Sequence, residues 1–489
     1  MGAPVATRVA NHRHCLEVMR LSLHLYLHVR LGCRGVGAVL RAMAGHLPPG
    51  VPAATTVLNW CCRLGLGVLQ RPLPRHDDWI FVIDHTVALG ELKCLVVLGI
   101  PASRLPATGY SPRHGDMTVL AVEVMANSTG VRVAAVLEQV SARTGVPVQI
   151  VCDHGSDLRK GIALFRQQAP RCVATYDISH AVATQLKAHW GEHAPWHAFL
   201  QQAGTTLPRF QQTDLAFLLP PHQRTKARYM AIDDHVGWAQ HLLDYHDRGD
   251  FTLIGRPCVF SADAWARLCA VQGKRRVAPL RVLIGQCYDT RAALCAALCA
   301  HGATVEMLDD AFWRLADRGY ARFLEAFDWV LAYRQHLPEW SQTMAVSKTV
   351  QSVLKTHGLS RTIPAAVRAE LIAHAPLAAP VADFQARLLE HVDREAAKLP
   401  EGVTWLASSD IIESVFGHYK SFAARSPLKE VGRLVLLIPA FISDLSAPVI
   451  LDALASVRTL DVEQWVEQHL GTSMLARRRR ALRPDIKTA

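Results

Sequence analysis

Two apolar runs of this chain end in aspartate, and a later helix-like run carries a glutamate. The first is Trp79-Ile-Phe-Val-Ile-Asp84 and the second Val148-Gln-Ile-Val-Cys-Asp153; Glu413 lies in Ser409-Asp-Ile-Ile-Glu413-Ser-Val-Phe-Gly-His-Tyr-Lys420. Carboxylates that converge from two strand ends and a helix can hold two divalent cations a few ångströms apart. Such a pair activates water against a phosphodiester and stabilises the leaving oxygen. Asp84, Asp153 and Glu413 are therefore the candidate catalytic and metal-binding residues, and the chemistry expected of them is the cutting and joining of DNA.

Each acid has a plainer reading beside this one. Asp commonly ends a strand because it suits the turn that follows. Asp84 and Thr86 share one strand face and His85 takes the other, which makes Thr86 the neighbour of the acid and His85 a structural residue. After Asp153, Ser156 or Asp157 suits the cap of the next helix, while Asp153 itself stands at a strand's carboxyl end, where open α/β sheets build their sites. Asp177, in Tyr176-Asp-Ile-Ser-His180, repeats the position one strand later, either as a residue behind the metal ligands or as a helix cap. Asp410 and Glu413 have capping-box spacing. Against that reading, Ile412, Phe416, Tyr419 and Ala423 make an apolar face with Glu413, Gly417 and Lys420 aligned beside it. Seven residues are two helical turns, so Lys420 lies about 10 Å along the helix from Glu413 on the same side. It could meet a phosphate next to the metal, with Gly417 leaving room for a DNA strand.

The elements that must position these residues are legible from periodicity. Residues 1–75 alternate helical stretches with breaks: one to about Leu31, then Gly35 to Ala44, a turn at Pro48-Pro-Gly50, and a helix from Ala53 that Gly65 and Gly67 would end. This reads as a helical, helix-turn-helix-like domain in which Thr56, Asn59 and Arg63 either read DNA or simply pack. From 76 to 190 the pattern changes. Ile80–Ile83, Cys94–Ile100 and Met117–Val124 predict an antiparallel meander. A helix from about Thr129 to Arg143, the strand ending at Asp153, a helix from Ser156 to Gln168, a strand Cys172–Tyr176 and a helix Ile178–Trp190 follow. That order is the one of the ribonuclease H fold. Residues 191–400 read as a helical insertion dividing the core, with Trp238, Trp265, Trp313, Trp329 and Trp340 in apolar periodic stretches that suit core positions more than stacking platforms. The core resumes over 401–470, and 471–489 is a basic tail.

The chain has 489 residues, a formal charge of +11 and a pI near 9.2, enough length for two or three domains and a charge that favours nucleic acid as partner. Arg224-Thr-Lys226-Ala-Arg228 and Lys274-Arg275-Arg276 are basic clusters, each either a solvated face or a phosphate contact. Arg477 to Arg480 are read as a solvated end, with non-specific phosphate contact as the sharper option. No apolar run reaches the roughly 18 residues of a membrane span, and the N-terminus lacks the ordered regions of a signal peptide; a cytoplasmic protein is expected. Twelve cysteines without a CxxC pair predict reduced, mostly buried thiols.

On Asp84, Asp153, Glu413 and Lys420, set in this element order, the chain resembles the DDE transposases of bacterial insertion sequences, which have a ribonuclease-H-like core. The resemblance covers about 79–190 and 405–425. It implies the three acids as ligands of two Mg²⁺ ions, with Mn²⁺ as substitute, and Lys420 as the lysine that many members carry seven residues after the glutamate. It further implies double-stranded DNA as partner, both terminal repeats and target, a homodimer on that DNA, and a nucleoid-associated location. Leu406 and Ser409 stand where one subgroup has Tyr and Arg. Arg63, Asn59, Arg224, Lys226 and Arg228 are the remaining DNA-binding candidates. Two alternatives stand beside this one: a catalytically inactive, transposase-derived DNA-binding protein, and a phosphatase of the haloacid-dehalogenase type, for which Asp309-Asp310 would be the later acidic pair.

Overall fold

An unbroken apolar run such as Ile80–Ile83 belongs in a strand covered on both faces, and all four residues are fully buried. The computed structural model describes residues 7–9, 12–43, 46, 50–87, 90–222, 232–248, 251, 254, 300, 311–425 and 428–482. In chain order these form α1 (Leu16–Leu27), α2 (Cys33–Ala42), α3 (Ala54–Gln70), β1 (Trp79–Val87), β2 (Lys93–Pro101), β3 (Thr118–Met125), α4 (Gly130–Thr144), β4 (Gln149–Cys152), α5 (Ser156–Gln168), β5 (Val173–Tyr176) and α6 (Ile178–Trp190). Then come α7 (Ala194–Phe210), α8 (Ile232–Arg248), α9 (Ala311–Leu331), α10 (Leu337–His357), β6 (Leu359–Ser360), α11 (Ile363–Leu371), α12 (Ala379–Ala397), β7 (Thr404–Trp405), α13 (Asp410–Ala423), α14 (Leu437–Ile442), α15 (Ala447–Ser456), α16 (Thr459–Leu470) and α17 (Met474–Ala481). The protein is mixed α/β. It divides into two compact units, one of Met1–Ala181, Val350–Glu370 and Leu389–Ala489, the other of Val182–Thr349 and Leu371–Leu388.

The first unit holds a five-stranded sheet of order β3-β2-β1-β4-β5. β1, β2 and β3 form the expected antiparallel meander, and β4 and β5 add parallel to β1. On one face Phe81, Ile83, Leu95, Val97, Ile150 and Cys152 meet Val133, Leu137 and Val140 of α4 and Leu158, Ile162 and Phe165 of α5. The other face carries α13 against β1 and α3 and α14 against β3. Residues 350–370 and 389–400, read from the sequence as part of the insertion, fall in this unit, where β6 pairs antiparallel with β7.

α3 runs on to Gln70, past the two glycines expected to end it. Gly65 and Gly67 sit inside the helix because other backbone presses on it: a Cβ on Gly65 would lie 1.7 Å from the Leu436 carbonyl oxygen, and one on Gly67 would lie 2.8 Å from the Ala453 Cβ. Val57, Trp60, Cys61, Cys62, Leu64 and Leu66 are buried around them, so α3 is mostly a core helix. Gly65→Ala should cost at least about 3 kcal/mol, because the obstacle is main chain that cannot rotate away. The denaturation midpoint checks it, and a value within about 0.5 kcal/mol of wild type would show that the Leu436 backbone can withdraw.

In the second unit the described tryptophans are packing residues, as expected, while Trp265 and the Trp313 side chain lie outside the described residues. Trp196 stacks on Trp190 with centroids 5.0 Å apart and meets Trp340 edge-on at 4.8 Å. Trp238 and Trp329 contact each other at 6.0 Å and both touch Phe199. Among the described cysteines all seven are free, five of them buried.

Candidate active site

β1 is longer than the sequence reading made it. On its antiparallel side Asp84 to Val87 still pair with Val96 to Lys93, whereas on the parallel side the described pairing stops at Val82↔Val151. Two residues beyond that register, Asp84 faces Asp153, which follows the last residue of β4. Parallel pairing thus sets the two aspartates side by side at the carboxyl edge. Asp84 Oδ1 accepts the His85 N–H at 2.6 Å, and Asp153 Oδ1 accepts the Gly155 N–H at 2.9 Å. Burial, then the charge of Asp153 and a smaller share from Glu413, push the Asp84 carboxyl up to about 7.

The third acid arrives by a chain of polar contacts across some 230–260 residues of sequence. Gln149, buried in β4, donates to the Leu406 carbonyl at 2.7 Å and accepts the Leu406 N–H at 3.2 Å. The Ile178 N–H donates to the Ala407 carbonyl at 3.0 Å. Asp177, buried between β5 and α6, then takes over. Its Oδ2 accepts the Ser409 N–H, the Ser409 hydroxyl at 2.8 Å and the Ser408 hydroxyl at 3.1 Å; its Oδ1 accepts the His180 N–H at 2.8 Å. Burial would raise this carboxyl, but the hydrogen bonds from His180 and Ser409 outweigh it and hold it at about 2. Asp177 is therefore both the cap of α6 and the anchor of α13, because Ser409 is the residue from which α13 springs.

Glu413 stands one turn into α13 and does not cap it. Asp410 is engaged by Lys355 at 2.7 Å and by the Ser179 hydroxyl at 2.9 Å, and Glu413 Oε1 lies 3.4 Å from His180 Nδ1. Burial raises the Glu413 carboxyl, with His180 opposing. His180 stands three residues after Asp177 and carries no signal of its own in the sequence. It lies 3.3 Å from Asp177, and that hydrogen bond, against the opposing effect of burial, lifts its ring to about 9 with help from the charges of Asp177, Glu413 and Asp153. A protonated imidazole thus sits among the carboxylates at neutral pH. The only local signal was the Asp-x-x-His spacing.

The donor set suits hard divalent cations: carboxylate oxygens from three elements, with more negative charge than His180 offsets. As placed, however, no three His, Cys, Asp or Glu side chains among the described residues are gathered around one point that could hold a metal. Glu413 is turned to His180 instead. Beside it Gly417 is open, a Cβ there meeting nothing within 4 Å, and Lys420 is exposed with Nζ 5.9 Å from the Phe416 ring centroid. Thr86 is fully buried and its hydroxyl has no hydrogen-bond partner among the described residues. His85 meets Ser128 at 3.0 Å and Asp157 at 3.8 Å, as a structural residue would.

The remaining candidates lie elsewhere. Thr56, Asn59 and Arg63 line one concavity with His12 and Arg13, and the Arg63 guanidinium is committed to the carbonyls of Leu454 and, at 2.6 Å, Val457 at the end of α15. Arg224, Lys226 and Arg228 lie outside the described residues, as do Lys274-Arg275-Arg276 and Asp309-Asp310. No described helix is long and apolar enough to cross a membrane.

The raised Asp84 carboxyl carries a stability cost with a definite sign. Its folded pKa is about 7 against an ordinary 3.8, so between those values the folded state holds a proton that the unfolded state has lost. Stability therefore falls as pH rises from about 4 to 7. Asp84→Asn removes the charge, and in chelator at pH 8 it should stabilise the protein by about 2–4 kcal/mol, a gain that fades toward pH 4. Denaturation midpoints across that range test it; a gain independent of pH would mean that packing, not charge, is responsible.

No protein-family model matches the chain, and no curated protein does. Among solved structures, the Drosophila P element transposase strand transfer complex is similar over 88% of this chain and 92% of that chain, at 10% identity and a TM-score of 0.36. That likeness is too slight to carry fold or function.

Proposed function

We propose that this protein is a transposase of the DDE type, a ribonuclease-H-like strand transferase that cleaves DNA at the ends of an insertion element and joins the freed 3′-hydroxyl to target DNA. One observation carries the reading: parallel register sets Asp84 beside Asp153, and the Asp177 anchor brings Glu413 to the same edge from far down the chain. The strand order and directions are those that a ribonuclease-H-like core requires.

Asp84, Asp153 and Glu413 would hold divalent cations, Mg²⁺ with Mn²⁺ as substitute. When bound, these supply activation of the attacking hydroxyl or water and stabilisation of the leaving oxygen. Asp153 and Asp84 are fixed by backbone N–H groups and need little reorganisation. Glu413 has to leave His180 to join them, which makes His180 its resting partner. Lys420 contacts the backbone phosphate of the strand that crosses open Gly417. Double-stranded DNA, as terminal repeats and as target, is the substrate, and a homodimer on paired ends is the assembly.

A second reading has its own observation. Because Glu413 is paired with His180 and no three-ligand cluster is formed among the described residues, the chain could be a transposase-derived protein that binds DNA without cutting it. Incubation with DNA carrying the element's inverted repeats decides between them. Mg²⁺-dependent nicking at the repeat ends supports the transposase; gel-shift binding without nicking, in Mg²⁺ and in Mn²⁺, supports the second reading.

A further inference from the structure

Arg477 and Arg480 stand one helical turn apart, a spacing at which like charges repel. Arg477 to Arg480 are nonetheless helical, in α17. The reason lies at the other end of the element. Glu430 accepts the N–H groups of Met474 at 2.5 Å and Leu475 at 3.4 Å, and the Ser473 hydroxyl accepts that of Ala476 at 3.2 Å. Three of the orphan donors of the first turn are thereby satisfied. A carboxylate at the N-terminus and cations in the last turn both follow the helix dipole. Met474 Sδ also lies over Gly90, which fixes the first turn against the rest of the unit.

The cations are thus held on a seated helix and not on a loose tail. Arg477 stands 3.7 Å from Glu91. Arg478, Arg479 and Arg480 are exposed, and no ion pair among the described residues engages them. Successive residues are about 100° apart around a helix, so three guanidinium groups fan over more than half its circumference, and two or three can reach one phosphate backbone together. The helix has no apolar stripe: Met474 and Leu475 belong to the seated first turn, and the remaining turn is arginine and alanine. An anionic membrane would need such a stripe to hold a helix in its surface.

We infer that α17 is a sequence-independent contact site for the phosphate backbone of duplex DNA, made by Arg478, Arg479 and Arg480. The inference takes only the identity of the polyanion from the function proposed above. Guanidinium groups suit it, since their forked donors match phosphate oxygens, and contacts of this kind add affinity without selecting sequence.

The test is a salt titration of the full chain on a random-sequence duplex, read by fluorescence anisotropy. Each neutralised phosphate contributes about 0.9 to the slope of log affinity against log salt. The triple variant Arg478→Ala/Arg479→Ala/Arg480→Ala should therefore have a slope shallower by about 2–3. Between 50 and 200 mM salt, wild type should lose roughly 10- to 40-fold more affinity than the variant. Triple lysine replacement should keep most of the slope. A wild-type slope in the alanine variant, with circular dichroism unchanged, overturns the inference and leaves the proposed function standing. Absence of duplex binding by wild type at 50 mM salt overturns both. Arginine-dependent binding to phosphatidylserine vesicles, with an unaltered DNA slope, overturns the inference in favour of a membrane partner.

Discussion

Asp84→Ala should abolish Mg²⁺-dependent cleavage of end DNA, lowering the single-turnover rate by about 10³-fold or more, while the Kd for the same DNA changes less than about threefold. The asymmetry follows from where the residue sits. Asp84 is mostly buried beside Asp153 at the carboxyl edge of the sheet, out of reach of the phosphates that dominate affinity. Its removal also relieves the folded protein of a carboxyl pushed up to about 7. The variant should be inactive and at least as stable as wild type in chelator. Glu413→Gln should behave alike in cleavage, since an amide is a poor metal ligand yet keeps a contact to His180. Cutting by Asp84→Ala at the wild-type rate would end the transposase reading, whatever DNA the protein binds. Loss of both cleavage and binding would mean that the edge of the sheet is a DNA surface and not a metal site.

The strands were legible because β1 and β2 are covered on both faces and so read as unbroken apolar runs, with Ile150 to Cys152 of β4 a shorter one, and α5 and α6 begin and end where periodicity predicts. Asp84 and Asp153 were legible for the same reason, as the first charges after such runs. Glu413 was legible from the apolar face beside it, because Ile412, Phe416 and Tyr419 are all buried. What periodicity could not reach is how α13 finds the sheet. Gln149 looks like an interruption in an apolar strand, yet it holds Leu406 by two hydrogen bonds across 257 residues. His180 appeared as one histidine among 24. Glycine's local cost predicts a helix end at Gly65 and Gly67, whereas the backbone that requires them, at Leu436 and Ala453, lies far along the chain. In each case a pairwise tertiary contact overrides a local rule.

That docking makes Asp177 the position where a single change should hurt the fold and the site together. Its carboxylate accepts the Ser409 N–H, two serine hydroxyls and the His180 N–H, and it is fully buried. Asp177→Ala leaves these donors buried without an acceptor, and should cost about 3–5 kcal/mol. Asp177→Asn keeps the volume but turns an amide toward N–H and O–H donors, so it should recover less than half of that loss. The pH dependence has a fixed sign. The folded carboxyl sits at about 2 against an ordinary 3.8; the folded state therefore releases a proton that the unfolded state keeps between those values, and about 2 kcal/mol of stability, present above pH 4, drains away as pH falls toward 2. The part of the Asp177→Asn penalty that comes from this carboxyl should accordingly shrink as pH falls below about 4. Global stability alone would not separate an anchor for α13 from an ordinary buried acid. Hydrogen exchange does so: the amides of residues 409–413 should lose protection in Asp177→Asn by more than those of β1 and β4, because the strands keep their ladder while the start of the glutamate helix loses its tether. Equal loss across the sheet and the helix would make Asp177 a general core residue. The proximity of Glu413 to the two aspartates would then rest on the contacts of Gln149 and Ile178 alone.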